Sequence, residues 1–202
     1  MSAMLESEQP PILKKTMNNS FNLCPECGSK KIQFLQNKKW ACPECGFDLY
    51  CNVAAAVGLI IRFPNGDVLF ESRAKEPRKG FLALPGGFCN PDESAEDAAL
   101  RECREEIGNS VQNIKYVASF PNTYPYKNFT YKTCDLFFCA SLSQSEAQEF
   151  LDGLKADASE VSGLCLKKVQ GQTDIDSLPL AFESAKKALK VWIDQNAHAK
   201  IG

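Results

Sequence analysis

Apolar positions are unevenly spread along this chain, and their spacing predicts its elements. Val53 to Phe63 (VAAAVGLIIRF) is apolar almost throughout, the pattern of a buried strand. Asn65-Gly66 is a hairpin signal, and Val68-Leu69-Phe70 returns from it. Glu71 to Gly80 reads as a charged loop, followed by Phe81-Leu82-Ala83-Leu84 and Pro85-Gly86-Gly87. A helix starts within 92–95, with Asp92 or Ser94 as N-cap, and runs to Ile107, where Gly108 stops it. Val111–Phe120 and Phe129–Leu142 read as strands separated by an aromatic loop, Pro121 to Tyr126. Ser145–Leu154 predicts a short helix, Glu160–Val169 a strand, and Leu180–Asn196 an amphipathic helix with Ala181, Phe182, Ala185, Ala188, Leu189 and Trp192 on one side. Strands interleaved with two substantial helices predict an α/β (α+β) sandwich on a mixed sheet.

The first fifty residues follow another pattern. Residues 1–20 are mostly polar, with Pro10-Pro11 in the middle, and read as a flexible tail. Within 21–51, Cys24-Pro25-Glu26-Cys27-Gly28 recurs as Cys42-Pro43-Glu44-Cys45-Gly46. Two such pairs supply four thiolates for a tetrahedral ion, and the glycines permit the tight turns. Lys31–Phe34 and Lys39–Ala41 read as short strands, so the segment looks like a zinc ribbon. With all four positions taken by Cys24, Cys27, Cys42 and Cys45, the zinc is structural. About thirty residues cannot build a sufficient core alone, so the metal supplies folding energy. The remaining segment, 52–202, is long enough for one medium domain.

Composition narrows the function classes. Of 202 residues, 44% are hydrophobic and 24% charged, as in ordinary globular proteins. A net charge of −2 gives no steering toward nucleic acid or anionic membrane. Lys30, Lys31, Lys38 and Lys39 form a small basic patch, largely offset by Glu26, Glu44 and Asp48, so a nucleic-acid partner is not expected. No apolar run approaches the ~20 residues that span a bilayer, so no membrane partner is expected. Six cysteines lie outside the paired motif and read as buried thiols of a reducing, cytoplasmic compartment. The only histidine, His198, lies four residues from the end, which leaves Ser-His and Cys-His schemes without a base.

The densest chemistry is GFCNPDESAEDAALRECREEIG, from Gly87 to Gly108. Glu102, Glu105 and Glu106 fall at i, i+3 and i+4, on one helix face. Like charges so crowded call for a hard cation such as Mg²⁺, which prefers carboxylate oxygens and water.

This run resembles the Nudix box, G-x5-E-x7-R-E-U-x-E-E-x-G-U, where U is bulky and apolar. Gly87, Glu93, Arg101, Glu102, Glu105, Glu106 and Gly108 fill all seven fixed positions. A chance match is on the order of 1 in 10⁸ per start position if each letter has a frequency of about 7%. Cys103 and Asn109 depart from the U positions, and Asn109 is expected to loosen the packing after the helix. The resemblance implies an α/β/α sandwich and a pyrophosphohydrolase that uses Mg²⁺ or Mn²⁺ to cleave a nucleoside diphosphate linked to another group. It implies Glu102, Glu105 and Glu106 as metal ligands, with Glu105 or Glu106 also orienting water. It makes Glu93 and Arg101 a structural ion pair, and it gives the Gly87 carbonyl to the metal. Glu160, in Ala158-Ser159-Glu160-Val161, resembles a late family glutamate that serves as base or extra ligand.

Arg73, Arg78 and Lys79 are placed to contact phosphate, Tyr124 and Tyr126 to stack a nucleobase, and Phe81 to form core or pocket wall. A ribbon directly ahead of such a domain is similar to the NADH pyrophosphatase arrangement. Ser119 to Tyr126 matches that group's S-Q-P-W-P-F-P-x-S signature at Ser119, Pro121, Tyr124 and Pro125, while Asn122 and Thr123 replace its Trp and middle Pro. ADP-ribose, an ADP-sugar, an NADH-like dinucleotide, nucleoside triphosphates and dinucleoside polyphosphates all stay open as substrates. A homodimer is expected from the resemblance. The alternatives are a non-catalytic nucleotide-sensing regulator and a hydrolase that processes RNA caps.

Overall fold

The computed structural model describes residues 21–127 and 129–198. The expected tail, residues 1–20, lies outside the described residues, as do the side chains of Phe129 and His198. The chain divides into two compact units between Cys51 and Asn52.

The first unit is a three-stranded antiparallel sheet of β1 (Gln33–Leu35), β2 (Lys39–Ala41) and β3 (Asp48–Tyr50), in that order. Its two cysteine turns have matching geometry. Gly28 N–H donates to the Cys24 carbonyl and Gly46 N–H to the Cys42 carbonyl, both at 2.9 Å. Both glycines have φ above +70°, a region other residues rarely adopt. The Sγ atoms of Cys24 and Cys45, and of Cys27 and Cys42, lie 3.7 Å apart. A zinc tetrahedron with bonds of about 2.3 Å needs an edge of about 3.8 Å, which these two pairs match, and all four sulfurs lie within 4.8 Å of one another. Burial pushes the Cys42 thiol up, but the amides of Cys45 and Glu44 and the Cys27 thiol outweigh it and bring it down to about 7. Of the four ribbon lysines, Lys31 pairs with Glu44 and Lys39 with Asp48.

The second unit is built on a six-stranded mixed sheet: β4 (Ala54–Arg62), β5 (Asp67–Arg73), β6 (Leu82–Ala83), β7 (Lys115–Tyr126), β8 (Phe129–Ser141) and β9 (Val161–Lys168). The order is β6-β5-β4-β8-β7, with β9 pairing β5. β4 runs parallel to β8 over nine residue pairs, Ala54↔Thr133 to Arg62↔Ser141. Alternation along β4 sends Leu59, Ile61 and Phe63 to one face and Ile60 to the other. On the first face pack α1 (Ala95–Ile107) and α2 (Gln144–Asp152), through Ala98, Ala99, Cys103, Ile107, Ala147 and Phe150. On the second pack α3 (Gln172–Ser177) and α4 (Glu183–His198), through Ile175, Ala185, Ala188, Leu189 and Trp192. This is an α/β/α sandwich.

Several boundaries differ from those predicted. The aromatic loop at Pro121–Tyr126 is the second half of β7, paired in register with β8 up to Tyr126↔Phe129. Proline is tolerated there because β7 is an edge strand. Glu71 to Arg73 belong to β5 rather than to a charged loop, and Glu71 is buried. The third ribbon strand and the six-residue α3 were missed; α4 begins at Glu183, after Leu180 has paired with Leu82. Asn109 tightens rather than loosens its surroundings. Its amide donates to the Phe150 carbonyl at 2.8 Å and ties the end of α1 to α2. Among the described residues, no helix is long and apolar enough to cross a membrane.

Gly58 on β4 lets the Phe137 ring pass against the backbone; a Cβ there would lie 2.7 Å from the ring edge. Gly58→Ala is expected to destabilise the second unit by about 1–3 kcal/mol, the usual range for overpacking, read as a lowered urea midpoint with unchanged slope.

Candidate active site

β4 and β5 pair only at Arg62↔Val68, so the rest of that edge of β4 is free of β5. The glycine-rich loop fills it. Leu59 N–H donates to the Pro85 carbonyl, Val57 N–H to that of Gly87, and Cys89 N–H to that of Ala55, at 2.8, 2.8 and 3.1 Å. The Gly87 carbonyl, assigned from the sequence to metal, is thus engaged by Val57. Gly86 sits at φ +152°, and a Cβ there would lie 2.1 Å from the Val57 carbonyl. From this loop the chain enters α1. Ser94, not Asp92, is the N-cap, accepting from Asp97 N–H; Gly108 closes the helix at φ 71°.

The helix brings Glu102, Glu105 and Glu106 to a cleft of about 820 Å³. They differ in surroundings. Glu106 is buried and accepts the Gly86 N–H at 2.7 Å. Glu102 presses against Gly87, where a Cβ would lie 2.5 Å from its Oε1. Glu105 is the exposed one. Arg101 grips Glu93 through two hydrogen bonds of 2.7 and 2.9 Å and also reaches Glu102, Glu105 and the Phe88 carbonyl. The Arg101 contact, with the Asn90 N–H, holds the Glu93 carboxyl down at about 2. Glu93, Arg101 and Gly108 brace the loop and helix from outside the cleft lining.

Glu71, read from the sequence as part of a charged loop and not as a site residue, faces the same cleft from β5. It is 2% exposed, and its Oε2 is the one buried side-chain polar atom among the described residues with no hydrogen-bond partner. Burial, then the neighbouring Glu106 carboxylate, pushes its pKa well above the carboxylate range. Burial raises Glu106 too, and Glu102 adds to it; Glu102 itself is raised chiefly by burial. Glu160 stands exposed at the cleft beside Lys75, at 3.0 Å, and its charge acts on Glu71, Glu102 and Glu106.

These carboxylates suit a hard divalent cation: the donors are all oxygen, two are buried, and no protein cation reaches Glu71 or Glu106 by an ion pair among the described residues. Among the described residues, only Cys24, Cys27, Cys42 and Cys45 bring three or more potential ligand atoms within 4.8 Å of one another. Mg²⁺ keeps several waters and takes substrate oxygens, so it needs only some of its ligands from the protein.

Part of the cleft lining is aromatic. Tyr124 pairs with Tyr131 across β7 and β8. Phe88 lies edge-on to Tyr124 at 5.4 Å, and Tyr124 meets Phe182 at 5.6 Å. Arg73 lies over Phe182 at 5.2 Å and donates to the Tyr124 hydroxyl at 3.4 Å. Arg73, Tyr124 and Tyr126 line the cleft; Arg78 and Phe81 do not, and they stack on each other on the exposed turn before β6.

Residues 53–178, more than half of the chain, match the NUDIX domain family. The chain belongs to the Nudix family. A NAD-capped RNA hydrolase NudC of Pseudomonas putida (strain GB-1) is 31% identical to it over 111 residues, covering 55% of this chain and 40% of that protein. The chain thus spans about 40% of the length of the curated relatives it matches. Its Nudix fold is shared with a Nudix hydrolase from Nitrosomonas europaea, at TM-score 0.58 and 22% identity over 87% of this chain and 92% of that one. The Nudix domain of Shewanella oneidensis NrtR, complexed with ADP ribose, superposes at TM-score 0.54 and 20% identity over 80% and 94%.

A carboxyl whose pKa is higher folded than unfolded holds its proton more tightly when folded. The stability it lends is full below the unfolded value and is lost as pH rises through the folded one. Raised Glu71 and Glu106 should therefore make metal-free Nudix protein melt at lower temperature as pH climbs from about 5 toward 9. In scanning calorimetry, Mg²⁺ should restore most of the loss, and Glu71→Gln should flatten the slope without metal.

Proposed function

We propose that this protein is an Mg²⁺-dependent (or Mn²⁺-dependent) pyrophosphohydrolase that cleaves the diphosphate of ADP-ribose or of an NADH-like dinucleotide. What carries the reading is one cleft lined both by the carboxylates of Glu71, Glu102, Glu105, Glu106 and Glu160 and by aromatic rings. Its resemblance to NAD-capped RNA hydrolases, which act on an NAD-derived diphosphate, supports it. When bound, the metal neutralises the diphosphate and lowers the pKa of a water. Glu102, Glu105 and Glu106 would hold it, with Glu71 as a further buried carboxylate. Glu160, exposed and free to part from Lys75, takes the proton of the attacking water. Arg73, in the cleft lining beside Tyr124 and Phe182, steadies the diphosphate while a ring lies against Tyr124. Water adds to one phosphorus and the bridging phosphoanhydride bond breaks, giving AMP and ribose 5-phosphate from ADP-ribose, or AMP and reduced nicotinamide mononucleotide from NADH.

A second reading, an NAD-capped RNA end as substrate, is favoured by the resemblance to NAD-capped RNA hydrolases. The four-cysteine site is proposed to hold structural zinc, since two of its sulfur pairs stand 3.7 Å apart and all four sulfurs lie within 4.8 Å of one another.

Turnover of ADP-ribose, NADH, NAD⁺, dinucleoside polyphosphates, nucleoside triphosphates and NAD-capped RNA is to be measured with and without Mg²⁺. One class should dominate, and Glu105→Gln and Glu106→Gln should lower its kcat/KM by about 10²–10⁴, the scale of a lost acid–base or ligand group. Folded protein idle on every substrate would overturn the reading. Zinc analysis should find one ion per chain, lost in Cys24→Ser; a wild-type chain free of zinc would refute the ribbon assignment.

A further inference from the structure

The α4 side of the cleft carries a polar group that diphosphate chemistry does not use. Asp135, 8% exposed on β8, accepts the Thr133 hydroxyl on Oδ1 and the Ser184 hydroxyl on Oδ2, both at 2.6 Å. Thr133 and Ser184 are buried as well, and all three line the cleft. Each hydroxyl has one proton, and both protons are committed to Asp135. What the trio can offer a ligand is therefore lone pairs only. Every ion pair among the described residues lies elsewhere, so no cation offsets this carboxylate. Ser184, the second residue of α4, places Asp135 at the positive end of that helix, which helps to hold an anion there.

Its neighbours are flat rings. Tyr131, Thr133 and Asp135 alternate along β8, so all three point to one face of the sheet. Tyr131 pairs with Tyr124, and Thr133 with Asn122. Phe182 packs against Tyr124 just two residues before Ser184. A buried set of acceptors thus adjoins a slot of aromatic faces that suits a heterocycle.

We propose that this slot selects a nucleotide ring by an N–H donor, an exocyclic amino or carboxamide nitrogen, that donates to the Asp135–Thr133–Ser184 trio. The proposal rests on the nucleotide reading above and adds to it a rule of specificity. A ring with an oxo or carboxylate group at that place would set acceptor against acceptor in a site with little water, and would be rejected.

Three dinucleotides separate the two sources of such a donor: NAD⁺, its hypoxanthine analogue, which lacks the adenine amino group, and its nicotinic acid analogue, which lacks the carboxamide nitrogen. Dissociation constants are to be measured by calorimetry with Ca²⁺ in place of Mg²⁺, and turnover separately with Mg²⁺. One analogue is expected to bind wild-type protein at least about tenfold more weakly than NAD⁺, in line with the penalty for facing unpaired polar groups. Asp135→Asn, which offers an N–H of its own, should bring that ratio near one or reverse it. Ser184→Ala leaves the carboxylate with one donor fewer and should widen it, which a merely structural role would not do. Equal binding of all three by wild-type protein, no binding of any, or an equal loss for all three in Asp135→Asn would overturn the proposal. Selective binding without turnover would sink the hydrolase reading and keep this one; turnover without selectivity would do the reverse.

Discussion

The docking of the glycine-rich loop onto β4 is the constraint that the rest of the active domain depends on. Because β5 touches β4 at a single register position, the β4 backbone from Ala55 to Leu59 would otherwise lack partners on one side. The loop supplies them through Pro85, Gly87 and Cys89. This needs a residue at position 86 without a side chain, since any Cβ would collide with the Val57 carbonyl. The same contact aims the Gly86 N–H at Glu106 and so fixes the first turn of the site relative to the last turn of α1. Arg101 locks the arrangement from behind, joining Glu93, the Phe88 carbonyl and two glutamates of the helix.

The opening between β4 and β5 also explains why one cleft holds two kinds of surface. Glu106, on α1, belongs to the helix that covers one face of the sheet, and Glu71 follows Leu69 of that same face along β5. Asp135 alternates with Phe137, which belongs to the other face, and Ser184 stands at the start of α4. Only where two strands part can groups from both faces meet one ligand. Carboxylates from one face and buried hydroxyls and an aspartate from the other thus line the same cleft.

The readable parts of this chain were those set by short spacings. The cysteine turns, the i, i+3, i+4 glutamates, the Ser94 cap and the Gly108 stop each depend on residues a few places apart. Glu71 was hidden because nothing local separates a buried glutamate from the charged residues that follow it; its burial comes from β9, β6 and α1 folding around it. The Asp135–Ser184 bond of the trio joins residues 49 positions apart. The alternation of Phe120, Asn122, Tyr124 and Tyr126, matched by Tyr131, Thr133, Asp135 and Phe137, was available as a strand signal. Pro121 and Pro125 masked it, since proline reads as a breaker unless the strand is known to lie at an edge. β3 left no pattern to find, being three exposed residues long.

Those two prolines have a further effect. They lie four residues apart on β7, so their nitrogens point to the same side of the strand, and the regular pairing with β8 puts that side outward. An edge strand with free N–H groups is a template for other strands, and removing donors blunts it. From Pro121 to Pro125 the sheet therefore resists extension by a neighbouring chain. The long exposed hairpin that builds the aromatic wall is protected against sheet-to-sheet aggregation by the same residues that disguised it as a loop.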